Sequence, residues 1–346
     1  MNFPDLTTAS RLEPGAHRLM IGAYGFEERS LGWARFQNGQ GAVVSDALVF
    51  RYVHPKGRNR IQELHGLLSG IGASNVREAE YDMSFPHDIE RTVGKVLHAT
   101  SQQYDEVIFD ISAMTKLLIL VCLCHLKDFA GTVRIVYSQA EDYSPSEGEY
   151  QKSKKNLELI ATYPSRGSQS IVRTRCLSSI RMQGQPVSMV AFTSFNEQLV
   201  RHMLGTINPH RLIFINGKPP RTDYKWRERA TQEIFDKLLE QYRADNQLDE
   251  AGLLKRTAST IDYRETVYRI DEIHKQYGTY ERIICAATGS KMQTVGLFFS
   301  KMVHSDVHIE YPTPDSYFVK GFSVGIRDVH EIVLPKFSDF LRSIQE

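Results

Sequence analysis

The chain has 346 residues, 41% of them hydrophobic and 24% charged, with a net charge of +1. That length fits two medium domains better than one, and the composition is that of a folded protein rather than a disordered one. The balanced charge argues against a broad nucleic-acid-binding face and leaves local basic patches open.

The N-terminus, MNFPDLTTASRLEPG, has no basic start and no apolar centre, so no signal peptide is expected. The first repeated feature is RLMIGAYGFEERSLGW from Arg18, which reads as a strand, a loop and a helix start. Its loop carries Gly22 and Gly25, which permit close backbone approach, Tyr24 or Phe26 to stack on a base, and Arg29 to meet a phosphate. There is no G-x-G-x-x-G, so a dinucleotide fingerprint is not expected. ALVFRYVHPKGRNR from Ala47 is a second strand, running into a basic turn with His54 and Lys56. EAEYDMSF holds another strand near Tyr81.

YDEVIFDISAMTKLLILVCLCHLKDFAG follows from Tyr104 as strand, polar turn and apolar helix. Its apolar run from Leu117 is too short to span a bilayer, so no membrane association is expected and the protein is read as cytoplasmic. In open parallel sheets ligands sit beyond the carboxyl ends of the strands, which places Asp110, Ser112, Thr115 and Lys116 at such a site. Free N–H groups at a helix start favour an anion, and a lysine there conflicts with the helix dipole unless a phosphate is the guest. Plain N-capping by the hydroxyls is the competing reading. The strand TVRIVYS comes next and leads to a loop ending at Tyr143.

SPSEGEYQKSKKN from Ser144 is polar and turn-rich, and residues 151–186 are expected to be a linker, a connecting hairpin or an extra strand. From Val187 the pattern starts again. VSMVAFTSFNEQLVRHM supplies Thr193 and Ser194 after a strand, and RLIFINGKPPRTDY ends a strand in a basic loop with Lys218. YERIICAATGSKMQTVGLFF supplies Thr288, Gly289, Ser290 and Lys291 before an apolar helix. Lys116 and Lys291 align 175 residues apart, Tyr137 with Tyr311 and Tyr143 with Tyr317 at 174, and Ile21 with Val190 at 169. Asp110 aligns with Cys285, so an acid there is not repeated. The four cysteines, Cys122, Cys124, Cys176 and Cys285, have no metal-ligand spacing and read as small hydrophobes of a reducing compartment. The tail HEIVLPKFSDFLRSIQE is expected to end in an amphipathic helix.

Strand–helix alternation with strands apolar throughout predicts an α/β fold: two tandem Rossmann-like three-layer domains with mainly parallel sheets. The expected boundaries are 1–150 for the first domain, 151–186 for the connection and 187–346 for the second domain with its C-terminal helix.

Asp110-Ile111-Ser112-Ala113-Met114-Thr115-Lys116 resembles the D-x-[ST]-G-G-T-K type motif of CARF domains, the CRISPR-associated Rossmann-fold sensors of cyclic oligonucleotides, and of the related SAVED domains. Ala113-Met114 stands in place of the glycine pair, and Thr288-Gly289-Ser290-Lys291 matches only the T-K end. The resemblance implies a pseudo-two-fold pair of lobes binding a nucleotide or cyclic oligonucleotide, without a metal or other cofactor, in anti-phage defence. It implies a separate effector protein, since no effector segment is recognisable, and allows a homo-oligomer. Two alternatives stay open. One is a metal-independent phosphodiesterase that cleaves its bound ring, with Arg29, Lys116, Ser194 and Lys291 positioning the ribose hydroxyl and His54 as an acid or base. The other is an adaptor subunit whose pocket has degenerated.

Overall fold

The computed structural model describes residues 2–53, 60–83, 85–98, 103–154, 165–246, 253–317 and 322–345. The chain forms two units, Met1–Ser144 with Val319–Glu346, and Pro145–Phe318.

In the first unit the strands are β1 (Thr7–Thr8), β2 (Arg18–Ala23), β3 (Asp46–Val53), β4 (Asn75–Asp82), β5 (Glu106–Asp110), β6 (Thr132–Ser138) and β7 (Asp142–Tyr143). In the second they are β8 (Ser165–Arg166), β9 (Ser170–Val172), β10 (Val187–Phe192), β11 (Arg211–Lys218), β12 (Leu253–Ser259), β13 (Arg282–Ala286), β14 (His308–Thr313) and β15 (Ser316–Tyr317). β16 (Ser323–Val324) and β17 (Val329–Leu334) return to the first unit. This corrects the expectation that everything from 187 to 346 forms one domain: β17 pairs along its length with β6, and Arg134 binds Glu331 at 2.8 Å beside it.

The first sheet has the order β1-β17-β6-β5-β2-β3-β4 and the second β12-β11-β10-β13-β14-β9. β2 through β6 pair in parallel, as do β10 through β14, and antiparallel strands close the β6 and β14 sides. The fold is therefore α/β with mainly parallel sheets, as the alternation predicts. The central strands β2 and β5 are buried end to end, and β10 from Ser188 onwards, because helices cover both faces. Edge strand β4 alternates instead, burying Ala79 and Tyr81 between exposed polar residues.

One face of the first sheet carries Met20, Ala47 and Val49 against Trp33, Leu64 and Leu68 of the helices Gly32–Gln37 and Ile61–Gly70. The helices Ile89–His98 and Lys116–Leu126 pack together. The latter is apolar and buried from Leu117 to Leu126 except at His125, as a helix enclosed by its own domain must be. The second unit repeats the plan, with Met189, Ala191 and Phe214 against Val200, Met203 and Phe235. Each fully buried Leu or Phe here contributes roughly 1.5–3 kcal/mol.

In both sheets the chain leaves the central strand (β2 or β10) in one direction and returns on its other side (β5 or β13). Strand order reverses there, and in open α/β sheets such a point is where the ligand crevice lies, at the carboxyl ends of that pair. Among the described residues no helix is long and apolar enough to cross a membrane.

Candidate functional site

The loops flanking each crevice are the ones with the sequence-predicted residues. In the first unit they are the β2 loop, 24–27, and the turn 111–115 after β5. They touch: a side-chain carbon on Gly25 would fall 2.9 Å from Ala113 Cβ, so this contact requires glycine. Gly22 lies at the end of β2, beside Asp110.

The Asp110 carboxylate is buried and accepts the Ser112 N–H at 2.9 Å, which turns the chain sharply off β5. Ser112 is fully buried, and its hydroxyl accepts the Ser138 N–H at 2.8 Å, tying the turn to β6. Thr115 is the N-cap of the helix Lys116–Leu126, accepting from Leu118 N–H at 3.3 Å. Sequence reasoning missed Tyr52. Its hydroxyl accepts the Thr115 N–H at 2.9 Å and donates to the Ala113 carbonyl at 3.1 Å, pinning the turn from β3. An aromatic at the end of an apolar strand was the available signal. Lys116 opens the helix, and burial pulls its amine down to about 8, so the ammonium holds its proton weakly at neutral pH.

Two predicted ligand residues in this unit turn inward, and these expectations are corrected. The Tyr24 ring is 1% exposed, stacks on His65 and donates to Glu78 at 2.9 Å. Burial and Glu78 raise its phenol, which stays protonated, and no face remains for a base. Arg29 is 3% exposed. It forms a bidentate pair with Glu27 at 2.7 and 2.9 Å, donates to Tyr137 at 3.1 Å and lies over the rings of Tyr137 and Tyr143. Glu27 neutralises it, so its charge serves the loop rather than a phosphate. Lys56 and His54 lie outside the described residues.

In the second unit the sheet register corrects one alignment. Asp110 pairs with Val136, and Ile111 N–H binds the Val136 carbonyl at 3.0 Å; Ala286 pairs with Glu310, and Ala287 N–H binds the Glu310 carbonyl at 3.1 Å. The counterpart of Asp110 is thus Ala286, not Cys285, and the second turn is one residue shorter. Cys285 lies within the strand, and burial pushes its thiol up to about 12. Thr288 holds this turn by exchanging bonds with Phe192: its hydroxyl donates to the carbonyl at 2.7 Å and accepts the N–H at 3.0 Å. Gly289 follows, packed on Phe192, where a side chain would collide.

Ser290 caps the helix Lys291–Val303 and accepts Gln293 N–H at 3.0 Å, while the Gln293 side chain accepts Ser290 N–H at 2.8 Å. This capping box was legible as S-x-x-Q. Lys291, half-buried, opens the helix as Lys116 does. Thr193 is buried and donates to Asn216, Ser194 donates to the Asn196 carbonyl at 3.3 Å, and Lys218 pairs with Glu265 at 3.2 Å.

The tyrosine pairs aligned by sequence also meet: Tyr137 and Tyr143 hydroxyls are 3.0 Å apart, Tyr311 and Tyr317 hydroxyls 3.5 Å. Each crevice thus has a lysine beginning a buried helix, hydroxyl-capped, with backbone N–H groups at the turn. Such an arrangement suits an anion better than a neutral ligand.

No family model matches the chain, and no curated protein does. Among solved structures it is similar to a type III CRISPR defence DNA nuclease activated by cyclic oligoadenylate, at 10% identity and a TM-score of 0.47, over 89% of this chain and 68% of that one. It is similar to a universal stress protein from Archaeoglobus fulgidus at 10% identity and a TM-score of 0.24, over 86% and 96%. It is also similar to Can2 from Sulfobacillus thermosulfidooxidans in complex with cyclic tetra-adenylate, at 12% identity and a TM-score of 0.25, over 85% and 95%. Likenesses this faint do not place the chain in a family, and its functional reading rests on its own residues.

Proposed function

We propose that the protein is a sensor: it binds a nucleotide messenger, a cyclic oligonucleotide by class, at the crevices of its two units and passes the signal to a separate effector protein. The observation that supports this best is Lys116. It is half-buried at the N-terminus of a helix whose dipole opposes a cation, and burial lowers its amine to about 8. A phosphate placed there would offset both penalties. Lys291 occupies the same place in the second unit, and the D-x-S-x-x-T-K pattern of residues 110–116 supports the ligand class. Asp110, Ser112, Thr115, Thr288, Gly289 and Ser290 then shape the turns that present the N–H groups, and Thr193, Ser194 and Lys218 line the second crevice's neighbouring loops.

The test is calorimetric titration of the protein with cyclic di-, tri- and tetranucleotides, repeated on a Lys116→Ala, Lys291→Ala double variant checked for native circular dichroism. Binding by the parent and its loss in the variant is expected. Equal affinity in the two would overturn the site. Linear products accumulating in the same mixtures would make the protein a phosphodiesterase instead of a sensor.

A further inference from the structure

Two short strand pairs, β8–β9 and β16–β17, are the same structural arm in duplicate. Ser165 and Ser323 begin them, 158 residues apart. Ser165 pairs with Tyr317 as Ser323 pairs with Tyr143, and Val172 pairs with Tyr311 as His330, also 158 residues on, pairs with Tyr137. Between the strands each arm turns through a left-handed glycine, Gly167 at φ 66° and Gly325 at φ 69°. A side-chain carbon on either would meet an acidic Cβ at the same position, Asp315 at 2.8 Å or Glu141 at 3.1 Å. Gln169 N–H then binds the Thr313 carbonyl at 2.8 Å, as Arg327 N–H binds the Gln139 carbonyl at 2.9 Å.

Each arm also reaches the loop after its unit's central strand. The Ser165 hydroxyl accepts from Asn196 Nδ2 at 3.0 Å, and the Ser323 hydroxyl donates to Glu27. Asn196 and Glu27 are 169 residues apart, the spacing of Val190 and Ile21 in the strands before them. Along the chain the order is core, arm, core, arm. Yet β8–β9 completes the second unit and β16–β17 completes the first. Each arm therefore follows the core that it does not complete.

We infer that the repeating piece of this protein is a core with the arm that follows it, and that the two repeats exchange arms, so that the loop beside each crevice is positioned by residues of the other repeat. Ser165 and Ser323 are the positioning residues. The inference does not depend on what the crevices bind.

Two measurements on the full chain test it. A protease site placed in the exposed turn between Gly184 and Gln185 separates the repeats covalently. After cleavage the two fragments should co-elute in native gel filtration and part only in denaturant; separation under native conditions would overturn the inference. Amide hydrogen exchange on Gly325→Val and Gly167→Val then excludes simple adhesion. Gly325→Val should speed exchange in 24–29 and β6–β7 by about tenfold or more while 193–196 and β14–β15 stay protected, and Gly167→Val should do the reverse. Loss of protection in the core that precedes each substituted arm would equally overturn it.

Discussion

The two crevices share a strand order and a lysine but not the wiring around it. In the first unit a carboxylate makes the turn: Asp110 takes the Ser112 N–H. In the second, with Ala286 at that register and a turn shorter by one, the Thr288 N–H takes the Ala286 carbonyl at 2.8 Å instead. The first unit buries an Arg29–Glu27 pair against its tyrosines; the second has Asn196 in place of Glu27, hydrogen-bonded to Ser165 and the Gly167 carbonyl. What persists is what the architecture demands: a cap, a lysine at the helix start, a paired tyrosine and a left-handed glycine. The rest has diverged, so the crevices are not expected to contribute equally.

The comparison breaks most directly by forcing one unit to copy the other. Ala286→Asp should lower stability by about 3 kcal/mol or more in urea denaturation, because it buries a carboxylate where the neighbouring N–H is already bonded. A tolerated aspartate would mean that the two turns are interchangeable. Next in size, Lys116→Ala should weaken ligand by about 100-fold and Lys291→Ala by less, read by titration, since only the first lies in a complete D-x-S-x-x-T-K turn. Equal losses would assign the crevices equal weight. Asp110→Ala leaves the buried Ser112 N–H without its acceptor and should cost about 1–3 kcal/mol in thermal unfolding.

Smaller still, Ser290→Ala should cost about 1 kcal/mol and Thr115→Ala about half of that, because the serine belongs to a reciprocal box and the threonine bond is longer, at 3.3 Å. The last effect is in pH. Burial lowers the Lys116 amine from 10.5 to about 8, so between those values the unfolded chain binds more protons than the folded one. Stability of the ligand-free protein should therefore rise as pH goes from 8 towards 10.5, and Lys116→Met should remove that rise. Ligand affinity should move the opposite way, falling as the amine loses its charge.

Most of this architecture was legible because buried parallel strands leave apolar runs that cannot be mistaken for surface. The motif turns were legible because hydroxyls and a lysine are conspicuous between such runs. Three things were not. Tyr24 and Arg29 read as ligand residues, since nothing local shows that Glu78, four elements away, would bury the one. Glu27 beside Arg29 was in plain view, but only the fold shows that it turns towards the guanidinium. The one-residue difference between the turns was hidden by aligning the lysines, whereas strand register aligns the sheet. The arms were hidden because strands of two or three residues carry no periodicity; the tail containing β17 was read for its helix, which occupies only Phe337–Ser343.

The closure of the first sheet by β17 has a consequence for synthesis. β6 is complete once residue 138 leaves the ribosome, but its antiparallel neighbour is Val329–Leu334. Until residue 334 has been translated, that strand presents an unpaired edge, and Arg134 lacks Glu331. Open strand edges invite pairing with other chains, and closing a contact 197 residues apart is slow. The nascent first unit should thus depend on chaperones for as long as the second is being made, and a stalled or truncated product should aggregate through β6.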